Sequence, residues 1–283
     1  MPFAGVITIG LSPRVHLGPL TIAWHGLMIG VGILAGSLFA ARYAKERELA
    51  TEPLWNLAAI LTMAGIVGAR LYYLVLHPSQ LADPAAWLSS NGFAFYGGLV
   101  LVPAAMGVYL WRKRLSVSYM DATATGLAFG YAIGRVGDLI AGEHHGGISH
   151  LPWAIAYRHP GAEVPQLGVP YQPGALYEIV LGLAIFAFLW SARRRLARTM
   201  PVWWFVGLYS LGRFVMFFYR SDSPISWLGL RTEQWVSLGL LSAAMLGGWL
   251  STRRGWTAPP PAPVPQRSSS GPAADDRHVT ART

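Results

Sequence analysis

The run GRVGDLIAGEHHG, from Gly134 to Gly146, decides how this chain is read. It starts inside an apolar stretch and ends in a polar one, so Arg135, Asp138 and Glu143 sit where a bilayer gives way to water. Charged groups at membrane depth are costly and mark a functional site by default. Gly134, Gly137, Gly142, Gly146 and Gly147 remove side-chain bulk, which lets backbone or a ligand come close. The bland alternative is a helix end whose charges snorkel to the interface.

Composition around this run is that of a polytopic membrane protein. Of 283 residues, 53% are apolar and only 12% charged, with 12 tryptophans and a mean hydropathy of +0.38. The formal charge of +9 is carried almost wholly by arginine, since Lys45 and Lys113 are the only lysines. In so apolar a chain that surplus points to loops facing anionic lipid rather than to nucleic acid. The absence of cysteine excludes disulfides, thiolate metal sites and a cysteine nucleophile. Residues 1–19, with Pro2, Pro13 and Pro19, lack the basic start and apolar core of a cleavable signal peptide, so the first span is expected to direct insertion.

Seven runs reach the length of about 20 residues that a spanning helix needs. They lie near 20–41, 54–76, 93–111, 119–141, 174–192, 201–220 and 230–250. The expected fold is therefore an all-α polytopic membrane protein with seven transmembrane helices. Basic clusters follow the odd-numbered spans: Arg42, Lys45 and Arg47; Arg112, Lys113 and Arg114; Arg193, Arg194, Arg195 and Arg198; Arg253 and Arg254. Residues 77–92 hold no Lys or Arg, and 143–173 hold only Arg158. The positive-inside rule then puts the N-terminus outside and the C-terminus in the cytoplasm. Three regions follow: an outer segment at 1–19, a membrane domain at 20–250 and a tail at 251–283. The tail's proline- and serine-rich composition predicts disorder.

Polar groups from six spans converge on the outer level. They are His25, Arg70, Tyr96 with Gly97 and Gly98, Arg135 with Asp138, Tyr177 with Glu178, and Arg213 with Arg220. Four arginines at the bilayer centre would cost roughly 10–14 kcal/mol, less near the interface. Asp138, Glu143 and Glu178 are too few for pairing alone to explain the set. An anion arriving with the membrane, a phospholipid phosphate, fits better, because guanidinium meets phosphate oxygens bidentately. Taken singly, each arginine has a salt bridge or snorkelling as its simpler explanation, and Gly97-Gly98 reads equally as a helix-packing notch. Glu143, His144 and His145, with Asp138 and His150 near, match no metal-binding spacing, and no metal or other cofactor is expected.

These residues resemble the prolipoprotein diacylglyceryl transferase family over most of 15–245. The signature resembles Gly134-Arg135-Val136-Gly137 followed by Gly142-Glu143. Supporting it are Trp24 with Gly26-Leu27-Met28, Gly68-Ala69-Arg70-Leu71, Gly97-Gly98, Pro152-Trp153-Ala154, Pro173 with Leu176-Tyr177-Glu178, Tyr209 with Arg213 and Arg220, and Gln234 with Ser237. The chain departs from the family pattern at several positions. Asp138 and Ala141 stand where asparagines are usual, Tyr96 where a histidine precedes the double glycine, and His25 where a tyrosine follows the first-span tryptophan. Gln172 and Ala175 alter the box that ends in Leu176-Tyr177-Glu178, and Phe217 replaces a glutamate. Tyr96 and His25 suggest an exchange of phenol and imidazole between two spans that face one another.

The resemblance implies a multi-pass enzyme of the bacterial inner membrane. It would move diacylglycerol from phosphatidylglycerol to the lipobox cysteine of a prolipoprotein signal peptide and release glycerol-1-phosphate, with those two molecules and membrane lipids as partners. Arg135 and Arg213 are expected on phosphate, His25 as base and Tyr96 as a hydrogen-bonding group. Glu143, Glu178 and Asp138 are expected to orient the arginines or the base. Arg70, Gly97, Gly98, Gly142, Tyr177, Tyr209 and Arg220 complete the expected substrate site. The competing classes are a protein that keeps the lipid site but uses another acceptor or head group, and a non-enzymatic seven-span lipid-binding protein.

Overall fold

The structure, a computed structural model, describes residues 6–18, 20–88, 92, 94–220 and 225–255. Most of the expected tail, from 256 onward, lies outside the described residues. Seven long helices appear among those described: α1 Trp24–Lys45, α2 Glu52–Leu76, α4 Phe95–Arg112, α5 Ser118–Ala141, α6 Gly174–Ala192, α7 Met200–Met216 and α8 Thr232–Arg253. A short α3, Pro84–Leu88, interrupts the linker between α2 and α4. Four of the helices, α1, α2, α6 and α8, are long and apolar enough to cross a membrane. Large apolar side chains such as Leu34, Val100, Trp111 and Met245 stand exposed on the helix surfaces, as lipid-facing residues do.

Two expectations are corrected at the polar end. The fold is mostly helical rather than all-α. A small three-stranded sheet joins β1 (Ile7–Ile9), β4 (Ile155–Tyr157) and β5 (Pro170–Tyr171), and β2 (Arg14–Leu17) pairs antiparallel with β3 (Leu20–Ala23). The long loop packs Ala154, Ile155, Ala156 and Tyr157 inward, and buried backbone must be hydrogen-bonded. Strand pairing with the N-terminal segment supplies those bonds. Residues 20–23 are consequently strand, and α1 begins at Trp24. The second correction concerns α7, which stops at Met216, so Arg220 lies past the helix and bridges Gly146.

The tightest helix pair is α1 with α5. A Cβ on Gly36 would lie 2.7 Å from the Gly126 carbonyl oxygen, and one on Gly130 would lie 2.5 Å from that of Gly32. Small residues on both helices let the backbones meet, the usual way helices associate in lipid. At the arginine-rich end, Tyr43, Leu54, Leu57, Leu110 and Tyr119 form an apolar cluster. Its rim is pinned by basic residues. Arg193 donates to Glu46 at 2.9 Å and holds that carboxyl below its ordinary range. Arg198 donates to Ser118 at 3.1 Å and Ser116 at 3.0 Å. Buried Asp121 on α5 accepts the Thr199 amide at 2.8 Å and the Val202 amide at 3.3 Å, capping α7 from a neighbouring helix.

Candidate active site

Glu178, the fifth residue of α6, is fully buried and holds the centre of the polar end. Its Oε2 accepts from Arg135 Nε at 2.6 Å and from the Tyr131 hydroxyl at 2.8 Å. Its Oε1 accepts from Arg220 at 3.0 Å, with Arg213 Nη1 at 3.6 Å. One carboxylate thus gathers guanidinium groups from α5, from α7 and from the segment after α7. Arg135 also bonds Asp138, three residues on along the same helix face. Aromatic rings flank the cations. Tyr131 lies 5.0 Å from Arg135, Phe217 lies 5.0 Å from Arg213 and 4.6 Å from Arg220, and Phe95 lies 5.4 Å from Arg213. Tyr209 meets Arg213 through its hydroxyl at 3.3 Å.

Three arginines stand against Glu178 and Asp138. Pairing goes further than the carboxylate count suggested, because Glu178 serves three partners. One positive charge is nonetheless left over in this group of five.

His25 opens α1 and turns Nδ1 onto Asp138, with Glu143 at 3.5 Å. A carboxylate on Nδ1 fixes the tautomer that leaves Nε2 as a proton acceptor. The His25 side chain is 42% exposed, enough to meet a substrate. Glu143 lies beyond the helix end, and burial raises its pKa against the opposing pull of His25. Close packing makes this meeting possible, since a Cβ on Gly137 would sit 2.6 Å from the Trp24 carbonyl oxygen. Gly142 ends α5 at φ +85°, a left-handed cap that suits glycine. Gly146 likewise abuts Tyr219, whereas Gly134 makes only ordinary contacts and Gly147 faces open space. Gly137, Gly142 and Gly146 thus meet neighbouring parts of the chain closely, and Gly134 lines the cavity described below.

In the sequence His144 stands only in a run that matches no metal-binding spacing. It bridges Arg220, at 2.8 Å from Nδ1, and Asp138, at 3.6 Å from Nε2. Tyr131 was missed as well, although its position one turn before Arg135 was a usable signal. Other expected residues fall elsewhere. Arg70 is buried and donates to the Gly92 carbonyl at 2.6 Å, with its guanidinium 5.2 Å from the Tyr73 ring. Gly97 packs against Gly68 and Tyr72, and Gly98 faces Gly65, so the pair forms the notch between α2 and α4. Tyr177 accepts from Trp153 Nε1 at 2.8 Å. Tyr96 stands beside Tyr72, Arg213 and Glu233 while His25 meets Asp138. The supposed phenol–imidazole exchange therefore joins positions with separate partners.

A cavity of about 500 Å³ begins at His25, Arg135 and Asp138 and runs between α1, α2 and α5 to Ala40, Leu54 and Leu57. From His25 to Ala40 it follows α1 for about 22 Å at 1.5 Å per residue. Its walls are almost wholly apolar. Charge at the mouth and an apolar slot behind it suit an amphiphile with an anionic head.

His25, Asp138 and Glu143 also bring three potential ligand atoms within 4.8 Å of one another. Both Asp138 oxygens already serve His25 and Arg135, so a cation here must compete with a guanidinium.

Comparison with known proteins gives the family. Residues 14–250 match the prolipoprotein diacylglyceryl transferase family. A phosphatidylglycerol–prolipoprotein diacylglyceryl transferase of Clostridioides difficile (strain 630) is 30% identical over 243 residues, covering 83% of this chain and 93% of the relative. Another from Solidesulfovibrio magneticus is 33% identical over 256 residues, covering 85% and 93%. A third, from Clostridium botulinum (strain 657 / Type Ba4), is 33% identical over 239 residues, covering 80% and 93%. This chain belongs to the prolipoprotein diacylglyceryl transferase family.

Proposed function

We propose that this chain transfers diacylglycerol from phosphatidylglycerol to the cysteine thiol of a prolipoprotein lipobox. The observation that carries the reading is Arg135, fixed between Glu178 and Asp138 at the mouth of the apolar cavity. The phosphate sits against Arg135 and Arg213, and an acyl chain lies in the slot behind. Sulfur attacks the glycerol carbon that bears the phosphate ester. The S–C bond forms, the C–O bond breaks and its electron pair leaves with glycerol-1-phosphate. The thiol proton passes to His25 Nε2, and Asp138 on Nδ1 stabilises the imidazolium. The arginines are positioned before charge develops on the leaving phosphate, which is where preorganised donors lower a barrier most.

In this reading all seven long helices cross the bacterial inner membrane. The polar end faces outward and the arginine-rich loops and C-terminus face the cytoplasm, as the basic clusters require. Arg220, His144 and Glu178 hold the reacting groups in place, and Arg70, Gly97, Gly98 and Gly142 shape the helix ends around them. Tyr177 and Tyr209 border the substrate through Trp153 and Arg213.

A transfer assay tests the reading. Purified protein is mixed with phosphatidylglycerol and a lipobox peptide, and the thioether peptide and glycerol phosphate are followed by mass spectrometry. Product with the wild type and none with Arg135→Ala is expected. No product alongside an active relative would show that this chain uses a different acceptor or head group.

A further inference from the structure

The cavity between α1, α2 and α5 changes character along its length. Near the mouth it is bordered by Ile29 and Ile66, both exposed, so a lipid tail reaches it there from the side. Its far end is closed. Ala40, Leu54 and Leu57 line that end, and all three are buried. Behind them Tyr43, Leu110 and Tyr119 complete the apolar cluster at the arginine-rich end. The Tyr119 hydroxyl donates to the Ala50 carbonyl at 2.9 Å, which ties this backing to the turn between α1 and α2.

Little in the walls between mouth and end binds a polar group. Thr62 and Thr123 line the slot, but their hydroxyls donate back along their own helices, to the Ala58 carbonyl at 2.7 Å and the Tyr119 carbonyl at 2.8 Å. Gly32, Gly36, Gly126 and Gly130 put no side chain on the wall where α1 meets α5. Lipid is as apolar as such a wall, so a tail gains nothing by transfer from bilayer to slot. Choice among tails then rests on fit, and a close-packed end yields poorly to extra volume.

Depth decides what fits. From His25 to Ala40 the slot descends about 22 Å. One leaflet holds roughly 15 Å of hydrocarbon, half of the bilayer core. A tail whose phosphate is held at Arg135 therefore reaches the closed end only when it lies extended past the midplane. We propose that Ala40, Leu54 and Leu57 form a stop that sets the longest acyl tail the donor lipid can seat, and with it the tail length of the diacylglyceryl group that is transferred. One tail occupies the slot and the other stays in the bilayer. The proposal rests on the transferase reading, which puts the lipid phosphate on Arg135.

Product mass tests it. Full-length protein in mixed micelles with equal amounts of saturated phosphatidylglycerols, graded from lauroyl to arachidoyl, is given a lipobox peptide. The mass of each thioether peptide reports the tails it received. The wild type is expected to show a cut-off, with product falling about fivefold or more for tails that overrun the stop, as overpacking a closed site does. Ala58 follows Leu57 on α2 and lines the slot, so Ala58→Phe should move the cut-off to shorter tails. Leu57→Ala opens the closed end and should move it to longer ones. A variant that merely folds less well lowers every product together and leaves the cut-off in place. A flat profile in the wild type, or the wild-type cut-off in both variants, overturns the stop. If no thioether forms from any lipid, the transferase reading fails by itself. The same series is then counted as lipid retained on the protein by native mass spectrometry, where a cut-off with two opposite shifts supports the stop and its absence overturns it.

Discussion

Glu178→Gln is the sharpest perturbation available in this protein. Glu178 is fully buried and accepts from Arg135, Tyr131 and Arg220, with Arg213 close by. Glutamine keeps one acceptor oxygen and replaces the other with an amide that can only donate. If the amide faces Oε1's partners, Arg220 and Arg213 lose their acceptor; if it faces those of Oε2, Arg135 and Tyr131 lose theirs. Either choice sets donor against donor around a buried cation. Breaking a buried pair by removing one partner costs about 3–5 kcal/mol. At about 2–4 °C per kcal/mol for a chain of this size, melting should fall by roughly 6–20 °C. Intrinsic tryptophan fluorescence in detergent measures it. Glu178→Asp, which keeps the charge, should lose less than half as much. Transfer should fall at least a hundredfold in Glu178→Gln, because Arg135 no longer has a fixed position. Wild-type melting and wild-type transfer in Glu178→Gln would refute the view that one carboxylate organises the three arginines.

Gly137→Ala should push α1 from α5 and lose about 1–3 kcal/mol by overpacking, read as lower thermal stability with reduced transfer. Asp121→Asn should cost about 0.5–2 kcal/mol, because the tertiary cap of α7 loses its charge far from the site. For Glu143 the sign follows from burial, which raises its carboxyl above the ordinary 4.5. Its contribution is fully present below that value and is lost as pH rises through the raised one. Melting followed upward from pH 4 should therefore decline in the wild type, and Glu143→Gln should remove that part of the decline. Chelation should leave transfer unchanged, since Arg135 and His25 already take both Asp138 oxygens. Loss of activity with EDTA, restored by one metal, would instead assign His25, Asp138 and Glu143 to a cation.

The helices and the polar end were legible in the sequence because both rest on local rules. Apolar runs of bilayer length show where a chain can cross, and basic clusters after alternate runs make each helix end distinct. Six spans could therefore be seen to bring polar residues to one level, with Arg135, Asp138, Glu178 and Arg213 among them. What those residues do to one another depends on helix rotation and on loop paths, which periodicity in so uniformly apolar a chain leaves open. That Glu178 serves three arginines, that His144 bridges Asp138 and Arg220, and that Arg70 turns to Gly92 instead are matters of packing. The pairing of β1 with β4 escaped notice because it joins residues almost 150 positions apart to meet the hydrogen bonds of a buried loop. Composition and charge order determined which helix ends carry the polar residues and which carry the basic clusters. Only the tertiary structure decided which arginines share a carboxylate, which histidine Asp138 holds, and that Tyr96 stands beside Glu233, because each requires side chains from different helices to meet.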